Sequence, residues 1–178
     1  NLSYLYLKDL MSLPLKIEKE FLPRSEFDQM VAKMVDTIPW WMGKIHYDTP
    51  ENIHRNMQMV HYFYEHHTPN KQTVELIYPI LQILQPCAII KIKANLVMAT
   101  DTIVEHGLHR DVEDAEHLTD LKTSILYLND NDGYTKFEDG TQVHSVANTM
   151  VTFPNDIRHT GSTCTNSNCR LVLNFNYV

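Results

Sequence analysis

From Ile89 to the end of the chain, short runs rich in branched and aromatic residues alternate with polar turns. The turns include "NDNDG", "EDG" and "PND", which are typical of tight connections between strands. No helical pattern interrupts the series, so it favours an antiparallel sandwich or barrel such as a jelly roll. The candidate strands are "IIKIKAN", "TSILYLN", "YTKFE", "QVHSV", "MVTFP" and "RLVLNFNY".

The first half of the chain is expected to support that core with helices. In "LPRSEFDQMVAKMV" the apolar residues share one helical face, with Ser25 as the expected N-cap and Asp28 three residues further on. "TPNKQTVELIYPILQIL" predicts a second helix, kinked at Pro79 and ended by Pro86. "NMQMVHYFYEHH" alternates in part like a strand, although a helix is also compatible with it.

These patterns predict a mainly β fold with N-terminal helices, of the α+β class, in a single domain over residues 1–178. Residues 1–88 would supply helical support and the first strands, and residues 89–178 the β-roll core with the functional site. A chain of 178 residues, 43% apolar and 21% charged, suits one soluble globular domain.

Charge and cysteine content limit the partners and the location that we expect. The formal net charge of −7 disfavours nonspecific binding to nucleic-acid backbones. No apolar run is long enough to cross a bilayer, so we expect no membrane partner. The three cysteines lack the spacing of a zinc site and favour free thiols in a reducing cytoplasm, with a Cys164–Cys169 pair as the alternative.

The stretch "EHGLHRDVEDAEH" concentrates possible metal ligands. His109 and Asp111 stand two residues apart, so on a strand both side chains would point to the same side. Because such a short pattern is weak evidence, a surface turn explains these two residues about equally well. His159, in "FPNDIRHTGSTCTNSNCR", is the best candidate for a third ligand. Two histidines and one carboxylate on one face of an iron leave three positions open, as in non-haem Fe(II) oxygenases.

Arg170, the first residue of the strand "RLVLNFNYV", is a positive charge that the fold has to accommodate. On a strand it shares one face with Val172, Asn174 and Asn176, while the large apolar residues point to the other face. A buried arginine needs an anionic partner, and this strand contains no acidic residue. A ligand carboxylate, held by two parallel hydrogen bonds, would supply one.

Four pieces of this sequence resemble the 2-oxoglutarate/Fe(II)-dependent dioxygenases, and most closely their prolyl-4-hydroxylase-like branch. The pieces are "HRD", "TSILYLNDNDGYTKFEDG", "VTFPNDIRHTG" and "CRLVLNFNY", in the order found in that family. The resemblance implies a double-stranded β-helix, the cupin-like jelly roll. It also implies that His109, Asp111 and His159 bind Fe(II), that Arg170 binds the C5 carboxylate of 2-oxoglutarate, and that Tyr127 hydrogen-bonds the same carboxylate.

The activity that this resemblance implies is hydroxylation of an unactivated C–H bond, using O2 and 2-oxoglutarate and releasing succinate and CO2. Ascorbate is expected to support the reaction. Asn174 and Asn95 are expected to line the site and reach the co-substrate. The presence of Asp111 favours hydroxylation over halogenation, and Asn176, where nucleic-acid demethylases of this type carry an arginine, disfavours a nucleic-acid substrate.

The substrate is the least determined part of this interpretation. A protein or peptide residue such as proline is the first expectation, and a free amino acid or another small metabolite is the second. A catalytically inactive β-roll that serves as a binding module is the alternative from another class. Phage-encoded members of the family are similar, so a viral source and a location in a host cytoplasm are also expected.

Overall fold

A computed structural model describes residues 13–45, 57–113, 115, 118 and 120–178. An eight-stranded antiparallel sheet has the order β1-β9-β6-β11-β5-β3-β2, with β4 paired to β3, and a smaller sheet has the order β10-β7-β8. The strands are β1 (Lys16–Glu18), β2 (Trp41–Lys44), β3 (Met57–Glu65), β4 (Thr68–Pro69), β5 (Ile89–Met98), β6 (Lys122–Tyr127), β7 (Tyr134–Phe137), β8 (Gln142–His144), β9 (Thr149–Pro154), β10 (His159–Gly161) and β11 (Cys169–Tyr177). The helices are α1 (Arg24–Thr37), a 3-10 turn (Val74–Ile77) and α2 (Tyr78–Leu84).

Strand β11 runs through the centre of the large sheet, between β5 and β6, and separates two environments. Its large apolar side chains, such as Leu173 and Phe175, are fully buried in a core shared with the helices. Because side chains alternate along a strand, Arg170 and Asn174 point to the opposite face. There Val172 joins a second apolar cluster with residues of β6, β7, β8 and β9. The predicted division of this strand into two faces is confirmed.

Helix α1 covers the core face of the large sheet with Phe27, Met30 and Met34, which are all buried. The helix is confirmed, but the predicted cap is wrong. Pro23 occupies the N-cap position, its carbonyl accepts the first helical hydrogen bonds, and no side chain caps the helix. Ser25 therefore lies within the first turn, and the nearby Asp28 forms an ion pair with Arg24 at 3.0 Å.

The second predicted helix is shorter than expected and is not kinked. Its sequence forms β4, then the 3-10 turn, then α2, which begins at Tyr78 with Pro79 in its first turn. A proline there loses no helical hydrogen bond, because the first amides of a helix have no partner within it. The helix ends at Leu84, before Pro86 as predicted, with Gln85 in the left-handed conformation at a φ of 45°.

The mainly β, antiparallel architecture confirms the predicted fold class. Strands β1, β2 and β3 from the first half join the same sheet as the strands of the second half. The assignment of residues 1–178 to one domain stays a prediction. Among the helices that the structure describes, none is long and apolar enough to cross a membrane.

Candidate metal centre and co-substrate pocket

Backbone pairing brings the candidate metal ligands together. His109 and His159 form an isolated antiparallel bridge, in which each backbone amide donates to the carbonyl of the other at 2.9 and 3.0 Å. His159 is also the first residue of β10 in the small sheet. Asp111 follows two residues after His109 in a bend, so the pair lies in an irregular segment instead of the strand suggested by its spacing.

The three side chains converge on one point. The imidazole Nε2 atoms of His109 and His159 lie 3.8 and 3.7 Å from the two carboxylate oxygens of Asp111. One ligand atom from each of the three residues lies within 4.8 Å of the others. Two donors that each bind one metal at about 2.1 Å lie at most about 4.2 Å apart, so the cluster needs little adjustment to hold an ion. Two imidazoles and one carboxylate suit Fe(II) and leave coordination positions open.

Polar neighbours fix the carboxylate of Asp111. The Asn174 amide nitrogen donates to Oδ2 at 2.8 Å, and that of Asn176 donates to the same oxygen at 3.2 Å. Lys91 Nζ donates to the Asp111 backbone carbonyl at 3.0 Å. Burial raises the pKa of Asp111, but the neighbouring His159, Lys91 and amide groups outweigh burial and hold that pKa below its ordinary value. The carboxylate is therefore ionised and oriented before any metal binds.

His159 is kept neutral by its surroundings. It is 3% exposed, and its ring packs edge-on against Phe153 with a centroid distance of 4.8 Å. Burial lowers the pKa of His159 to about 4, against the opposing effect of Asp111. A neutral imidazole has a free nitrogen lone pair, so at neutral pH this residue is ready to act as a metal ligand.

Arg170 lines a cavity that the three metal-ligand candidates also border; it is 4% exposed and is held by hydroxyl groups. Its Nε donates to Ser145 Oγ at 2.7 Å, and its Nη2 donates to Thr135 Oγ1 at 3.0 Å. No carboxylate among the described residues forms an ion pair with it. Burial lowers the pKa of Arg170, although the group stays charged at any ordinary pH. As expected from the sequence, Arg170 is thus a buried cation that an anionic ligand would neutralise.

Two glycines allow the guanidinium to lie where it does. A Cβ atom at Gly133 would approach Arg170 Cδ to 2.8 Å and the Thr163 carbonyl oxygen to 2.7 Å. A Cβ at Gly161 would lie 3.1 Å from Arg170 Nη1. A larger residue at either glycine would therefore collide with the Arg170 side chain in its present position.

Tyr127 is fully buried beneath the guanidinium, with Arg170 Cζ 5.5 Å from the centre of its ring. Its hydroxyl donates to Thr135 Oγ1 at 3.0 Å or to the Val143 carbonyl at 3.2 Å. The hydroxyl hydrogen therefore has partners inside the protein. A hydrogen bond from Tyr127 to the co-substrate stays a prediction.

The metal ligands and Arg170 border one cavity of about 340 Å³. Asn95 and Asn174 also line it, as predicted, and the side-chain oxygen of each is buried without a hydrogen-bond partner in the described structure. Their contact with the co-substrate stays a prediction. Three residues of the site were not predicted from the sequence: Thr135 and Ser145, which hold Arg170, and Lys93, which lines the cavity. Lys93 could have been predicted to line the cavity, because it alternates with Lys91 and Asn95 along one strand and so shares their face.

Solved structures with a similar fold include a prolyl hydroxylase and alpha-ketoglutarate-dependent enzymes. A prolyl hydroxylase from Trichoplax adhaerens, in complex with a peptide fragment of the hypoxia-inducible factor oxygen degradation domain, aligns over 99% of this chain and 88% of its own. The TM-score is 0.65 and the sequence identity 12%. The fold is that of the 2-oxoglutarate/Fe(II) oxygenases.

Further structures with a similar fold include a biosynthetic enzyme and a protein with a bound metal and 2-oxoglutarate. The non-heme alpha-ketoglutarate-dependent carbocyclase SnoK from nogalamycin biosynthesis aligns with a TM-score of 0.67 at 12% identity, over 93% of this chain and 79% of its own. HygX from Streptomyces hygroscopicus, solved with nickel and 2-oxoglutarate bound, has a TM-score of 0.60 at 9% identity, covering 99% and 86%. No family model matches the sequence, and no curated protein matches it. At these identities the similarity establishes the fold of the chain.

Proposed function

We propose that this protein is a 2-oxoglutarate- and Fe(II)-dependent dioxygenase that hydroxylates an unactivated C–H bond. One observation carries the proposal. The His109–Asp111–His159 cluster shares a cavity with Arg170, a buried cation with no ion-pair partner in the described structure. A metal site with open positions and a separate carboxylate-binding group are the two elements that binding of 2-oxoglutarate requires.

Each residue has a defined role in this proposal. His109, Asp111 and His159 hold Fe(II), and Asn174 orients the Asp111 carboxylate by donating to its Oδ2. Arg170 binds the C5 carboxylate of 2-oxoglutarate. With Tyr127 beneath it, this guanidinium is held in place before the ligand arrives.

The bound iron would supply oxidation: O2 and 2-oxoglutarate are converted to CO2 and succinate while one oxygen atom is inserted into a C–H bond of the substrate. The protein contributes geometry and exclusion of water, since His159 and Arg170 are nearly inaccessible to solvent. Ascorbate would keep the iron ferrous between turnovers.

Two substrate classes are supported by different observations. A residue of a protein or peptide, such as proline, is supported by the similarity to a prolyl hydroxylase solved with a peptide. A free amino acid or another small metabolite is supported by the small cavity with cationic lining. A cytoplasmic location, a viral source and the absence of nucleic-acid and membrane partners stay predictions from the sequence.

Uncoupled turnover tests the proposed function without knowledge of the substrate. The purified protein with Fe(II), ascorbate and 2-oxoglutarate should produce succinate, and His109→Ala and His159→Ala should abolish that production because two remaining ligands hold Fe(II) poorly. His66→Ala is the matched control, since His66 is exposed and outside the cavity. Wild-type protein that binds neither Fe(II) nor 2-oxoglutarate would instead support the inactive binding module.

A further inference from the structure

Strand β5 lies next to β11 in the large sheet and presents a row of polar side chains to the same cavity. Lys91, Lys93 and Asn95 alternate along it and all line the cavity. In the antiparallel register Lys93 stands opposite Asn174, the residue that donates to the metal-binding carboxylate. This wall therefore lies beside the position of the metal.

Two members of the row, Lys93 and Asn95, form no side-chain hydrogen bond or close ion pair with the described residues. Lys91 donates to the Asp111 carbonyl, but Lys93 has neither a hydrogen bond nor an ion pair with the residues that the structure describes. The Asn95 amide likewise has no hydrogen bond there, and its Oδ1 is buried. Burial and the neighbouring Lys91 lower the pKa of Lys93, and the carboxylates of Asp111 and Glu65 oppose this shift without cancelling it. A partly buried ammonium beside a free amide is unfavourable unless a ligand completes its contacts.

The net charge of the cavity lining also favours an anionic ligand. Its described lining contains four cationic side chains and two carboxylates, which leaves two positive charges, although the whole chain carries −7. Binding of Fe(II) adds two positive charges and 2-oxoglutarate removes two, so the excess persists in the loaded site. A further anion would reduce it. The charged lining residues are Lys91, Lys93, Arg110, Arg170, Asp111 and Glu113.

We propose that Lys93 and Asn95 bind a carboxylate of the substrate, and that the substrate is a small carboxylic acid such as a free amino acid. The Lys93 ammonium supplies the charge and the Asn95 amide nitrogen a second donor, while the buried Asn95 Oδ1 accepts a hydrogen bond from the ammonium group of the same amino acid. This inference rests on the proposed function and selects the second of its two substrate classes. The cavity of about 340 Å³ has room for 2-oxoglutarate and a molecule of that size.

A second source of carboxylate has to be separated from the substrate, namely the C1 carboxylate of 2-oxoglutarate. Arg170, which takes the C5 end, stands opposite Val97, four residues along β5 from Lys93. That spacing is about 13 Å along the strand. The four carbon–carbon bonds of 2-oxoglutarate, each about 1.5 Å, cover only part of that distance. This backbone spacing leaves room for a different molecule at Lys93, and the binding test below separates that molecule from the C1 end of 2-oxoglutarate.

The test uses protein loaded with Mn(II), which replaces Fe(II) without turnover, and 2-oxoglutarate. Binding of free L-amino acids, including proline, and of their primary amides is measured by calorimetry for wild type, Lys93→Met and Lys93→Arg. We expect wild type to bind at least one acid tenfold or more tightly than its amide. Lys93→Met should lose that preference, and Lys93→Arg should retain most of it. Lys71→Met, at an exposed lysine, is the matched control.

The results separate this inference from the proposed function. In Lys93→Met, unchanged affinity for 2-oxoglutarate together with a lost acid preference supports the proposal. A tenfold or greater loss of 2-oxoglutarate affinity, with acids binding as before, would assign Lys93 to the co-substrate and overturn the proposal. So would wild-type protein that binds 2-oxoglutarate but none of the acids. Wild type that binds neither Mn(II) nor 2-oxoglutarate would overturn the proposed function as well.

Discussion

Replacing Arg170 with methionine should separate co-substrate binding from folding. The substitution keeps much of the side-chain volume but removes the guanidinium, which is 4% exposed and donates to Ser145 and Thr135. The ligand-free protein loses two hydrogen bonds but is relieved of a buried charge without a counter-ion. Because these effects oppose each other, we expect its free energy of unfolding to stay within about 1–2 kcal/mol of wild type.

The loss of 2-oxoglutarate binding should be much larger. A hydrogen bond to a charged group contributes about 1.5–3 kcal/mol, so two bonds to the C5 carboxylate amount to at least ~3 kcal/mol. Affinity should therefore fall about 100-fold or more. At a 2-oxoglutarate concentration 100 times the wild-type Kd, the wild type gains about 2.7 kcal/mol of stability and the variant only about 0.4 kcal/mol.

Thermal unfolding of the Mn(II)-loaded protein with and without 2-oxoglutarate measures this difference. For a chain of this length, 2.7 kcal/mol corresponds to a rise in Tm of about 5–10 °C in wild type, and the variant should show a rise of about 1 °C. Arg24→Met is the control, because Arg24 is an exposed helix residue with a single ion pair. An equal rise in Tm for Arg170→Met and wild type would refute the assigned role of the guanidinium.

Three further substitutions probe the metal centre, the cavity wall and the core. Asn174→Ala should weaken Mn(II) binding about 10- to 100-fold, because it removes the shorter of the two amide hydrogen bonds to the Asp111 carboxylate. Calorimetry measures this affinity, and an unchanged value would contradict the role of that hydrogen bond. Gly133→Ala places a Cβ 2.7 Å from a backbone oxygen and should cost about 1–3 kcal/mol in urea denaturation. Gly43→Ala, whose Cβ would meet nothing closer than 3.8 Å, should stay within about 0.5 kcal/mol, and equal effects would refute the steric argument. Leu173→Ala empties a fully buried site and should cost about 2–5 kcal/mol in the same assay; a smaller loss would mean that the core closes over the gap.

The sequence predicted those features of the fold that depend on alternation along one strand. The two faces of β11 could be assigned because every second residue from Leu171 to Tyr177 is large and apolar. The short edge strands β1 and β2 were not predicted, since both are largely exposed and lack that contrast. The cap of α1 was misassigned because Ser25 is a favoured N-cap residue, whereas the backbone of Pro23 already provides the start.

The candidate site was also predicted in part, but from a different kind of signal. The resemblance of short motifs selected His109, Asp111 and His159, and the structure brings these three together. The contact between Asn174 and Asp111 could not be predicted, because it depends on how an irregular segment lies over β11. The sequence also could not show that Lys91 forms a hydrogen bond and Lys93 does not, because the two lysines differ only in the neighbours that the fold gives them.

The reciprocal backbone hydrogen bonds between His109 and His159 affect how the site takes up its ion. They join two segments about fifty residues apart through main-chain atoms, independently of the imidazoles. The entropy of closing that loop is therefore lost during folding instead of during capture of the metal. Metal-free protein should accordingly bind the ion quickly and reversibly. The amides of His109 and His159 should already exchange slowly with deuterium in the absence of metal.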